Sequence, residues 1–302
     1  MSDNSRYTLI KGNFHIFYPD SPKQGPEPDG DTITFEPNNI ELINSFNKRK
    51  PDLNQRNIAK IRFEGVDALE THFLFSHQRL DFAYKARDYM LASLGFENII
   101  YWDIDRLHNK VKSVNKNPRP GYILANEIDS YGRVIAFVFP DDINETDGAN
   151  YFIDSSILKK SINYKMIQEA LVYPALYTTM PLDLAKIIAE ETRSARAKIA
   201  GIFQIEDVNT KKSATINGVK ALQKMCMWPK LFRRLVAFYD KGYSHLIDFK
   251  PWLRENPVER DDKLLLPNGE IGNMHDLFSV SDNSIQLNYE PEDIIILPDN
   301  IP

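Results

Sequence analysis

Residues 7–18 (YTLIKGNFHIFY) alternate apolar and polar side chains well enough to be a β-strand. Two further stretches, 32–36 and 58–66, read the same way. Residues 122–127 and 133–139 form a hairpin around Asp129-Ser130-Tyr131-Gly132. Short strands cut by turn residues, with helical periodicity between them, restrict the first 203 residues to a small barrel plus helices. Residues 19–30 carry four prolines and two glycines and are a loop. Phe82, Ala86, Met90 and Leu94 recur at helical spacing, and Gly95 follows as a C-cap. Residues 99–102 are strand-like, and the basic stretch 106–120, with Asn117-Pro118-Arg119-Pro120, reads as an exposed loop. A second basic run, Lys48-Arg49-Lys50, lies in an Asn-rich insertion. A short helix is expected over 164–171. Pro181 starts a longer one with Leu184, Ile188, Ala195, Ile199 and Ile202 on one face.

After Phe203 the character changes. Residues 216–227 and 230–240 read as helices parted at Trp228-Pro229, with Phe232, Leu235, Val236 and Tyr239 on one side. From Leu264 onward the pattern is strand and turn. The chain is therefore expected to be α+β, with residues 1–203 as one domain and 204–302 as an extension of mixed structure. That extension is expected to set a protein partner or self-association.

The extension also explains the charge. The formal net charge is −5, which looks wrong for a nucleic-acid partner. Residues 264–302 hold seven acids and no Lys or Arg, so without them the balance would be +2. A near-neutral body still binds phosphate if its positive groups converge. The acidic tail either covers a basic groove or packs as edge strands. Hydrophobic residues at 42% and charged residues at 26% are ordinary for a soluble globular protein. The start lacks an apolar stretch of signal-peptide length, and no run reaches the length of a membrane span, so the expectation is cytoplasmic. The single cysteine, Cys226, reads as a buried structural thiol.

Three segments carry chemistry: Asp29-Gly30-Asp31-Thr32, then residues 62–70 (RFEGVDALE), then Tyr131-Gly132-Arg133. Asp31 sits where a turn enters a strand, which is either a plain turn or a rigid carboxylate at a barrel mouth. Asp67 and Glu70 follow a strand at D-x-x-E spacing, so they are either solvated loop acids or two acids aimed at one point. Calcium takes several oxygen ligands, and Asp31, Asp67 and the carbonyl of Ala68 would supply three, with Glu70 holding a water. Arg62, within an apolar strand, and Arg133, after a turn, have the planar donors that suit phosphate. The histidines lack zinc-ligand spacing. Lys230, Arg233, Arg234 and Lys241 read as a solvated helix face, with a phosphate path as the alternative.

The order DGDT, R-x4-D-x2-E, YGR resembles the staphylococcal nuclease (thermonuclease) family. The resemblance covers about residues 7–203, including NYKMIQEALVYPALY. It implies a five-stranded OB-fold β-barrel with packed helices, and calcium-dependent hydrolysis of DNA and RNA to 3′-phosphate products. By motif position, Asp31, Asp67 and the Ala68 carbonyl resemble the calcium ligands. Arg62 and Arg133 resemble the phosphate-binding arginines, and Glu70 the catalytic glutamate. Tyr131, Tyr173 and Tyr177 are candidates for stacking on bases, against packing as the alternative. The chain departs from the family at Leu69, where a proline is common, and through insertions near 38–57 and 103–120. The competing expectation is a nuclease-like module that binds nucleic acid or protein without cutting. Retention of all five side chains argues against it.

Overall fold

The computed structural model describes residues 6–46, 49–104 and 107–298. Lys48 of the first basic run, Arg106 of the second and Asp299 of the tail lie outside the described residues. The chain forms two compact units. One comprises residues up to Glu64 together with Lys85–Met166; the other comprises Gly65–Tyr84 and the chain from Ile167 onward.

The first unit is a closed five-stranded barrel. Its strands are β1 (Arg6–His15), β2 (Thr32–Pro37), β3 (Ala59–Phe63), β4 (Arg119–Ile128) and β5 (Val134–Pro140). The order is β2-β3-β5-β4-β1, and β1 closes the ring by pairing with β2. The β3–β5 contact is parallel and the other four are antiparallel. Alternation does what the sequence predicts: Ile33, Phe35, Ile61 and Phe63 are buried while Thr32, Thr34, Lys60 and Arg62 face outward. Closure needs Gly12, because a Cβ there would lie 2.7 Å from the Phe35 ring and closer still to the Glu36 carbonyl. The start of β1 also carries a short strand, β6 (Asn150–Phe152).

Glu97–Tyr101 and Val111–Asn115 pair as a hairpin, so part of the basic stretch expected as a loop is strand. Its burial is irregular and the register slips twice, which is why no alternation shows in the sequence. The strand expected over 58–66 breaks after β3, because Gly65 takes φ +79°.

The second unit has a core of its own, running from Leu69, Ala83 and Tyr173 through Trp228, Phe232 and Phe249 to Ile296. The long helix is Leu182–Ala197, with Leu184, Ile188 and Ala195 buried. Ile199 does not continue that face: it follows the helix end at φ +52° and is 62% exposed. Residues 216–227 hold only a single helical turn, Val219–Leu222. Pro229–Asp240 is a helix with proline in its first turn, where a missing N–H costs nothing. The described part of the acidic tail packs within the second unit. Ile295–Ile296 pairs with Lys263–Leu265, and Glu292 and Asp293 bind Arg196 and Arg193. Cys226 is fully buried, and burial pushes its thiol pKa well above the usual range. No helix among the described residues is long and apolar enough to cross a membrane.

Candidate functional site

In the barrel, Asp29 and Thr32 exchange backbone hydrogen bonds of 3.1 and 3.4 Å, so Asp29-Gly30-Asp31-Thr32 is a tight turn feeding β2. The turn and the functional reading are therefore compatible. Asp31 is 7% exposed. Its carbonyl accepts the Phe63 N–H at 2.9 Å, and its Oδ1 accepts the Thr32 hydroxyl at 3.1 Å. Thr32 stands opposite Arg62 in the β2–β3 ladder, and Arg62 Nη1 forms an ion pair with Asp31 Oδ2. Cross-strand register thus brings together two residues that lie far apart in sequence.

Arg133 enters β5 from the turn closing the β4–β5 hairpin. Asp129 organises that turn: its Oδ1 accepts the N–H groups of Tyr131 and Arg133, both at 2.9 Å. Its Oδ2 accepts Arg133 Nε at 2.7 Å. Gly132 takes φ +79°, and Asp52 packs so close that a Cβ there would lie 2.7 Å from its backbone nitrogen. Any other residue here would strain the turn and collide with Asp52. Val134 is the register partner of Ile61 on β3, so Arg133 comes level with Lys60, two steps from Arg62. Tyr131, at the tip, is 76% exposed, with Arg133 Cζ 5.4 Å from its ring centroid.

The acidic half of the motif belongs to the second unit. Asp67 ends the strand Gly65–Asp67, opposite Tyr173. Asp67, Ala68 and Glu70 are all buried, which removes the solvated-loop reading. Both carboxylates converge on one cation, the guanidinium of Arg233. Arg233 Nη1 and Nη2 donate to the two oxygens of Asp67 at 3.1 and 3.0 Å, and Nη1 also donates to Glu70 Oε1. Desolvation opposes the charge on Arg233, but the two carboxylates outweigh it and raise its pKa above the ordinary arginine value. Gln78 braces the arrangement. It accepts the Glu70 N–H through Oε1 at 3.2 Å and donates its own backbone N–H to the Glu70 carbonyl at 2.9 Å. Its Nε2 donates to the Met227 carbonyl at 2.9 Å.

Two expectations need correction. Tyr173 is fully buried with its hydroxyl 3.6 Å from Cys226 Sγ, so its ring has no face for a base. Tyr177 is half-buried, its ring centroid 5.8 Å from Lys230 Nζ. The basic stripe of Pro229–Asp240 is not a solvated face. Lys230 pairs with Asp262 at 2.8 Å, Arg234 with Asp262 at 2.9 Å, and Arg233 with the acids above; only Lys241 of the four is exposed. Arg233 and Gln78 are the site residues that sequence reasoning missed. The one signal was a run of cations on a helix with an otherwise apolar face.

Among the described residues no three His, Cys, Asp or Glu side chains gather as metal ligands. The donor chemistry of Asp67 and Glu70 nevertheless fits a hard cation, since two carboxylates already aim at one positive centre. No protein-family model matches the sequence, and no curated protein matches it.

Proposed function

We propose that the chain is a calcium-dependent nuclease of the thermonuclease type, cutting phosphodiester bonds of DNA and RNA to leave 3′-phosphates. One observation carries the reading. A five-stranded barrel that binds oligonucleotides in the OB manner uses the face of its second and third strands and the loops joining strands one to two and four to five. Asp31 ends the first of those loops, Arg62 lies on the outer face of β3, and Tyr131 and Arg133 form the second loop. The ring order, with β3 parallel to β5, supports assignment to the OB-fold.

In this reading Arg62 and Arg133 bind the non-bridging phosphate oxygens and neutralise the charge that grows as water attacks phosphorus. The resemblance gives Glu70, whose backbone Gln78 braces at both ends, the role of orienting a water and taking its proton. Calcium, in the roles the resemblance gives Asp31, Asp67 and the Ala68 carbonyl, would supply Lewis acidity at the phosphoryl oxygen. Tyr131 is the aromatic ring placed to stack on a base.

A second reading, a module that binds nucleic acid without cutting, is favoured by one feature: Asp31, Asp67 and Glu70 each face a guanidinium. The deciding assay incubates the protein with single-stranded DNA, double-stranded DNA and RNA, in calcium or in chelator. Cleavage in calcium alone is expected. Asp31→Asn and Arg62→Ala are each expected to reduce it at least about 100-fold with unchanged circular dichroism. Binding without calcium-dependent cleavage of any substrate would replace the first reading with the second.

A further inference from the structure

Arg233 has no part in the reaction as described, yet it holds the point on which two of the reaction's acids converge. Its Nη1 bridges Asp67 and Glu70, and its Nη2 completes a two-bond fork on Asp67. Such a fork is the strong form of arginine–carboxylate pairing. We propose that Arg233 is an internal counter-ion that competes with a divalent cation for Asp67 and Glu70, so that loading of the cation requires the guanidinium to leave. This rests on the nuclease reading of those two acids.

Charge and geometry both favour exchange over joint occupancy. Two carboxylates are neutralised by one dication; a guanidinium kept beside it would add like-charge repulsion in a site where Asp67 is 2% exposed. The oxygens that a hard cation would take are the ones the fork now occupies. Departure is also physically open to Arg233. Its side chain is 26% exposed, so it has a path to water. The helix that carries it is held without it, through buried Phe232, Leu235 and Val236 and through Lys230 and Arg234 on Asp262. The acids are held without it as well, because Gln78 fixes the Glu70 backbone and the Gly65–Asp67 strand pairs with Tyr173–Ala175. The device couples the segment after Phe203 to the motif: the helix supplies an intramolecular brake, released by cation concentration.

The test measures calcium binding to the full chain by titration calorimetry, for the wild type, Arg233→Gln and Arg233→Lys. Arg233→Gln, which removes the competing charge, is expected to bind calcium at least tenfold more tightly than the wild type. Arg233→Lys, which keeps it, is expected to stay within threefold of the wild type. Equal or weaker binding by folded Arg233→Gln overturns the proposal, as does absence of binding to every protein. Should Arg233→Gln fail to fold without calcium, folding on calcium addition supports the proposal, and failure to fold in saturating calcium overturns it. A parallel cleavage assay keeps the two readings apart. Wild-type cleavage with unchanged Arg233→Gln affinity removes the competition and leaves the nuclease. Tightened binding with no cleavage by any form removes the nuclease and leaves the competition.

Discussion

Glu64 should make the barrel lose stability as pH rises, and the size of the effect can be worked out. It follows β3 directly and is 5% exposed. The Tyr7 hydroxyl donates to its Oε1 at 3.0 Å, while Oε2 has no hydrogen-bond partner among the described residues. Burial, and then repulsion from Glu127, outweigh the Tyr7 hydrogen bond and push the carboxyl from 4.5 up to about 8. Between those values the folded barrel holds a proton that the unfolded chain has released. Stability therefore falls by about 1.4 kcal/mol per pH unit across the window, about 5 kcal/mol in all. None of that is lost below the unfolded value, and the full loss is reached above the folded one. Glu64→Gln abolishes the titration but leaves a buried amide nitrogen where Oε2 stood, a penalty of about 1–3 kcal/mol at any pH. The two stability curves should therefore cross. The wild type is the more stable at pH 5, and the variant is the more stable above pH 8.5 by about 2–4 kcal/mol. Urea denaturation at pH 5, 6.5 and 8.5, followed by circular dichroism, reads both curves. Parallel pH profiles for the two proteins would refute the reasoning, whatever their absolute stabilities.

Arg196 binds Glu206 and Glu292, whose side chains are each 1% exposed. Arg196→Met leaves both carboxylates buried without it and is expected to lower the unfolding free energy in urea by about 3–5 kcal/mol at neutral pH. The buried Asn163 side chain donates to the carbonyls of Glu64 and Ala136 at 2.9 and 3.0 Å and accepts the Val138 N–H at 2.9 Å. Asn163→Leu should lower the urea midpoint by an amount equal to about 3 kcal/mol, because backbone groups stay buried without that partner. Phe75, 96% exposed, should tolerate serine with a change within about 0.5 kcal/mol in the same assay.

The barrel was legible wherever one face of a strand meets the core. Ile33, Phe35, Ile61 and Phe63 alternate with outward residues, and that period is visible without coordinates. The β4–β5 hairpin was legible for a different reason: Asp129 and Gly132 are the residues its turn requires. Of the hairpin Glu97–Tyr101 and Val111–Asn115, the first strand was legible in part, over 99–102; the second was not, because beyond buried Val111 its residues are largely exposed and carry no period. Ile199 misled because helical spacing persists in sequence past the point where the backbone turns left-handed. Local pattern reports which residues suit a helix; it does not report where tertiary packing ends one.

The site divides along the same line. Asp31, Arg62, Asp67, Glu70 and Arg133 stand out in the sequence as candidates because each belongs to a short motif. Arg233 does not, because its carboxylate partners lie 166 and 163 residues away and its own neighbours, Lys230 and Arg234, are also cations. A cation on an amphipathic helix is most often solvated, and nothing local marks the exception. The pairing of Arg233 with Asp67 and Glu70 bears on how the segment after Phe203 must be tested. That segment supplies Trp228, Phe232, Phe249 and Ile296 to the core that also holds Leu69 and Tyr173, the close neighbours of Glu70 and Asp67. Removing it would expose that core and delete the counter-ion of both acids in one step. A truncated protein that failed to cut nucleic acid would therefore be uninformative, since lost folding and lost chemistry would look alike. Point substitution at Arg233 separates them, because the helix keeps its buried apolar face and its Asp262 ion pairs while only the charge opposite Asp67 and Glu70 changes.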